Sequence, residues 1–314
     1  MCTRGSKEGN YEFFERIENY IDKVNEAESS SSDGEFAECD DFSEEYQSSF
    51  KNKQIAKSLC EQLIKIYKSL NNSGTTPKCS NNNKNGCGFF NYWVNFKISK
   101  DMINRRNCIN EIYDGFESQC PNAFGVPLDA DIIYNINKDD LHKMNLLYSL
   151  YKKYKDIDGI LDNSTEETKR LLLSYSTACC TEYLEANYMC NDSNDNNNSQ
   201  FCTQLNEFKT KYENLHKRVE GKDPEYYKNF IKLTECNNNT VSTALIGTTV
   251  GLVPLLVGLY KFTPLRQLIN SKNGKLTQEY RNTDDEIRNI MLMDQGNEHI
   301  SSQQETYNIK YHSV

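Results

Sequence analysis

The sequence predicts an all-α protein: a disulfide-stabilised helical-bundle ectodomain, one C-terminal transmembrane helix and a short polar cytoplasmic tail. Three observations carry this. Apolar residues recur at three- and four-residue spacing through most of residues 1–240, with no sustained strand-like alternation. All twelve cysteines lie at or before Cys236. One uncharged run of twenty residues, Val241 to Tyr260 (VSTALIGTTVGLVPLLVGLY), follows them. The predicted units are therefore 1–240, 241–260 and 261–314.

Taken in order, Phe14, Ile17, Ile21 and Val24 share one face of a short helix over 11–24. Residues 28–35 (ESSSSDGE) are a polar linker, and the whole stretch 28–50 reads as loop or disordered. Leu59, Leu63, Ile66 and Leu70 continue from Ile55 at helical spacing. Residues 71–86 (NNSGTTPKCSNNNKNG) then break the helix. Cys87 to Ile98 (CGFFNYWVNFKI) resumes as an aromatic helix that holds the only tryptophan, Trp93. Gly115 to Pro127 reads as a turn region pinned by Cys120. Asn137 to Tyr154 is helical, with Leu141, Met144, Tyr148 and Tyr151 on one face. Ser164 and Glu167 fit a capping box for a helix over 165–183. Residues 191–200 are a low-complexity loop. Leu205, Phe208, Tyr212, Leu215 and Val219 form the next seam, and Asp223-Pro224 opens a helix through Leu233. Beyond Lys275 the tail is polar, with one apolar patch at Ile287–Met293, and little stable fold is expected there.

The uncharged run is long enough to cross a membrane. At about 1.5 Å per residue it spans roughly 30 Å, one bilayer core. Pro254 and the glycines are tolerable in such a helix, whose backbone must stay paired in lipid. A buried core helix of this length would usually keep some charge on a wet face. Gly247 and Gly251 match a close-packing GxxxG pattern, although glycine is common in spans and the match is read as compositional.

Charge sets the orientation. Lys261, Arg266, Lys272 and Lys275 follow the run with no acid before Glu279, whereas Lys232 and Glu235 before it cancel. The carboxyl side is therefore expected in the cytoplasm, against an anionic leaflet. Residues 1–240 hold 29 basic and 38 acidic side chains, which is the whole net charge of −9.

The disulfide candidates are Cys39, Cys60, Cys79, Cys87, Cys108, Cys120, Cys179, Cys180, Cys190, Cys202 and Cys236; Cys2 beside the initiator is left out. Their pairing cannot be read from spacing. Disulfides belong to oxidising compartments, so their placement agrees with the charge-based topology. Cys179-Cys180 reads as two neighbours bonded to separate partners rather than as a vicinal redox switch.

Chemistry is otherwise sparse. The four histidines, His142, His216, His299 and His312, are far apart, and no HExxH or CxxC occurs. Neither GxxxxGK[ST] nor GxGxxG is present. No catalytic residue, cofactor or metal site is expected. The acidic balance argues against nucleic acid. Residues 1–22 hold no apolar core of a cleaved leader, so the internal run is expected to act as the insertion signal. Five Asn-x-Ser/Thr sequons, at Asn71, Asn163, Asn191, Asn197 and Asn238, precede the run; with 38 asparagines they are compositional first and glycan sites second.

Several segments together resemble the Plasmodium interspersed repeat (PIR) superfamily, in its VIR branch of variant surface proteins of malaria parasites. These are Cys87–Ile98, 141–157 (LHKMNLLYSLYKKYKDI), Cys202–Tyr212 (CTQLNEFKTKY), the junction Tyr260–Leu268 (YKFTPLRQL) and the ending Tyr307–Val314 (YNIKYHSV). The resemblance covers most of Leu59–Val314. Arg266 stands where glycine is usual, and the stretches 28–50 and 191–199 are peculiar to this chain. The resemblance implies a non-enzymatic antigen exported to the infected red-cell membrane. Its roles would be immune evasion and, for some members, host-cell adhesion. The implied partners are the lipid bilayer, antibodies and a host-cell receptor. The alternative is a trafficking or scaffold protein on internal membranes of the host cell, using a tail of charge +4 over 261–278 and −4 over 279–314. Oligomeric state is left open.

Overall fold

Ten α-helices follow one another among the described residues: α1 (Ile17–Ser29), α2 (Glu38–Tyr46), α3 (Lys53–Ser69), α4 (Lys84–Asp101), α5 (Ile109–Gln119), α6 (Pro121–Phe124), α7 (Lys138–Asp162), α8 (Glu166–Asn191), α9 (Gln200–Glu220) and α10 (Pro224–Lys228). Short 3-10 segments at Glu12–Arg16 and Leu233–Glu235 flank them. This computed structural model describes residues 5–29, 36–70, 84–103, 108–124, 132–162, 166–191, 199–222 and 224–236. The expected span Val241–Tyr260, its basic flank Lys261, Arg266, Lys272 and Lys275, and the tail lie outside the described residues, as does Cys79.

The core is organised around α4. Phe89, Phe90, Tyr92, Trp93, Val94 and Ile98 are all buried, as are Asn91 and Asn95. A helix buried around most of its circumference must be central, and α4 is packed by α3, α5 and α7. The long α7 in turn packs on α1, α8 and α9. Aromatic contacts join these layers. Tyr20 stacks on Phe89 at 4.5 Å, Phe13 on Tyr92 at 5.4 Å, and Tyr151 meets Phe208 edge-on at 5.2 Å. Caps close two helices. Asn52 accepts from the Ile55 N–H at 2.8 Å, and Ser199 from the Cys202 N–H at 3.2 Å.

The two buried asparagines of α4 bind a strap at 134–136. Asn91 Oδ1 accepts from the Tyr134 N–H at 3.1 Å, and Asn95 Oδ1 from the Ile136 N–H at 2.9 Å. Asn95 Nδ2 donates to the Tyr134 carbonyl at 2.9 Å. The strap also pairs with the amino terminus: Lys7 N–H donates to Asn135 O at 2.8 Å, and Asn137 N–H to Lys7 O at 2.9 Å. Buried backbone without a sheet partner thus finds side-chain partners instead.

The structure departs from the sequence reading in four places. Within 28–50, read as loop, Glu38–Tyr46 is helical; Phe36, Cys39 and Phe42 recur on one buried face behind a Ser/Asp/Glu-rich background. Helix α4 begins at Lys84, inside the expected 71–86 loop, and α8 and α9 claim Asn191 and Gln200 from the 191–200 loop. Gly115 lies within α5 rather than at a turn. A Cβ there would sit 2.3 Å from Tyr46 Oη, so the missing side chain admits α2. The helix expected through Leu233 ends at Lys228, because side chains of α8 and α9 capture the following backbone.

Candidate functional site

That capture defines the most distinctive local geometry, at the carboxyl end of the described residues. Ser176 of α8 donates to the Asn229 carbonyl at 3.3 Å and accepts from the Ile231 N–H at 3.3 Å. Tyr212 of α9 donates to the Ile231 carbonyl at 3.0 Å. Phe230, Ile231 and Leu233 are buried. The Cys180–Cys236 disulfide then fastens the end of this segment to the middle of α8. Residues 224–236 are thereby held as a latch across α8 and α9.

A groove beside the latch is lined by Tyr212, Glu213, His216, Lys217, Glu220 and Lys232. Its rim is mixed in charge. His216 packs between Tyr227 and Phe230, each ring centre 5.7 Å away, and its Nδ1 lies 3.5 Å from Glu220 Oε1. Burial, then Lys232, lowers the imidazole pKa against the opposing pull of Glu220 and Glu235. The ring is therefore kept neutral by its packing, as a core residue is. His142 is more exposed, with its Nε2 3.4 Å from Glu185 Oε1. His299 and His312 lie outside the described residues.

The cysteines sort into two groups. Cys39–Cys60 joins α2 to α3, Cys190–Cys202 joins α8 to α9, and Cys180–Cys236 closes the latch. Cys108 is also disulfide-bonded, and Cys87 is buried in α4. Cys120 and Cys179 are buried free thiols, contrary to their expected pairing. Cys179 and Cys180 point to different surroundings on consecutive helical positions, and only Cys180 meets a partner. Cys120 caps the end of α5 instead of pinning a turn: its N–H donates to Phe116 O at 2.9 Å. Its sulfur, however, belongs to a cluster. The Sγ atoms of Cys39, Cys60 and Cys120 all lie within 4.8 Å of one another. Two of the three are joined, so they do not form a set of three thiolates for a metal. Twelve cysteines whose pairing cannot be read from spacing carry no signal for such a triangle.

Residues 218–314 match the family model described as Plasmodium vivax Vir protein. Over these residues the chain is similar to the Vir family. The Vir match covers under a third of the chain and starts at Arg218, in the last turn of α9. It takes in the latch, Cys236, the uncharged run and the tail. The latch is thus the part of the Vir-type segment that the described fold holds in place. No curated protein and no solved structure matches the chain. Among the described residues no helix is long and apolar enough to cross a membrane.

Proposed function

We propose that this Vir-type protein is a variant surface antigen: a disulfide-pinned helical ectodomain carried to the infected red-cell membrane on a single span at Val241–Tyr260. Its amino side faces outward and its carboxyl side faces the cytoplasm. It serves immune evasion, with antibodies and a host-cell receptor as the outside partners and the bilayer as its anchor. The observation that carries the reading is the Vir match over residues 218–314. Supporting it are the helical bundle with its disulfides, the absence of cysteine after Cys236, and the basic flank of Lys261, Arg266, Lys272 and Lys275.

The test is antibody labelling of residues 1–236 on intact and on permeabilised infected cells. Labelling of intact cells, removed by external protease, is the expected result. Labelling only after permeabilisation overturns the surface reading in favour of a component of internal membranes.

A further inference from the structure

The sulfur triangle at the α2–α3–α5 junction is the feature that the antigen reading does not use. Cys60 Sγ is bonded to Cys39 and lies only 3.6 Å from the free Sγ of Cys120. All three residues are fully buried, so no external thiol reaches them in the folded protein. We infer that Cys60 serves two alternative disulfides, with Cys39 and with Cys120, which interconvert by intramolecular thiol–disulfide exchange.

The step balances without an oxidant or reductant. Once α2 loosens and admits water, the Cys120 thiol gives its proton to that water, and its thiolate attacks Cys60 Sγ. The Cys39–Cys60 bond breaks as the Cys60–Cys120 bond forms. Cys39 leaves as thiolate and takes up a proton. The product holds the same number of thiols and disulfides as the starting protein.

Two features make the exchange slow. Because the sulfurs form a triangle, in-line approach requires α2 to loosen. Burial, then Glu38 and Asp41, pushes the Cys120 thiol up to about 12. At neutral pH only about one molecule in 100,000 then carries the attacking thiolate. The exchange moves the covalent tie of α3 from α2 to the α5–α6 junction. Helix α2 would then be held by side chains alone, among them Phe42 stacked on Phe116 at 3.9 Å and Asp40 paired with Lys57.

The test follows the full-length oxidised chain in detergent micelles, incubated without added thiol at about pH 9, where thiolate is more abundant. Samples are quenched in acid, unfolded, alkylated and mapped by non-reducing mass spectrometry. The expected result is a Cys60–Cys120 peptide that grows with time, Cys39 becoming alkylatable as Cys120 ceases to be. The Cys120→Ser variant should show no alkylation of Cys39, which separates this exchange from scrambling through Cys179. The Cys39→Ser variant should form Cys60–Cys120 outright and supplies the standard for that peptide. The inference is overturned if wild-type Cys120 stays fully alkylatable with Cys60 wholly on Cys39. It is also overturned if Cys39 is alkylated equally in Cys120→Ser. Should Cys39→Ser lose its Cys190–Cys202 peptide and so be misfolded, the wild-type time course decides.

Discussion

Asn95 shows how one side chain can stand in for a sheet. Its amide satisfies both a donor and an acceptor of the 134–136 strap inside the core. Asn95→Ala strands both backbone groups, each costing about 1–3 kcal/mol when buried without a partner. A loss of about 3 kcal/mol is expected, read as a fall in the thermal midpoint of helix unfolding. Glu28 gives a second test. Its carboxylate pairs with Lys97, whose ammonium also lies 5.3 Å above the Trp93 ring. Burial acts to raise the Glu28 carboxyl, but Lys97, Lys152 and Lys100 outweigh it and leave it below its ordinary 4.5. A carboxyl lowered by folding adds stability that is complete above the unfolded value and lost as pH falls through the folded one. Glu28→Gln should therefore lower stability by about 1 kcal/mol at neutral pH, between the values for exposed and buried pairs. The difference from wild type should vanish in acid, as measured by urea unfolding across pH.

At the scale of elements, the long seams were legible because one apolar face dictated each. Leu59, Leu63 and Ile66 of α3, and Leu205, Phe208, Tyr212, Leu215 and Val219 of α9, are all buried as their spacing implies. Helix α2 was not legible, since its buried face is three residues wide and its exposed face is wholly acidic, with Asp40, Asp41, Glu44 and Glu45. Gly115 misled for a different reason: its glycine serves a close approach by Tyr46 rather than a turn. Gly115→Ala should force Tyr46 aside and cost about 1–3 kcal/mol, the range for overpacking. Hydrogen exchange should then rise selectively in Glu38–Tyr46. The latch escaped the sequence reading because its backbone partners, Ser176 and Tyr212, come from 55 and 19 positions away. The sulfur triangle escaped it because three helices must first assemble. Tyr212→Phe removes one bond of the latch and should cost about 1 kcal/mol, with faster exchange confined to 229–236.

For the whole molecule, the disulfides differ in reach. Cys180–Cys236 closes a separation of 56 residues and Cys190–Cys202 one of 12. Chain-entropy arguments assign them about 4 and about 3 kcal/mol. The Cys180→Ser, Cys236→Ser double variant should thus unfold at lower urea than the Cys190→Ser, Cys202→Ser double variant. The long closure also fixes how the protein bears a pull. Tension applied beyond Cys236 crosses the sulfur bridge directly into the middle of α8 and continues towards the amino terminus. Residues 181–235, with all of α9 and α10, sit in a closed loop that carries none of it. Reducing that single bond would feed those residues into the stretched path and release about 190 Å of slack. A chain so fastened keeps α9 and α10 folded under tension until the bridge itself is cut.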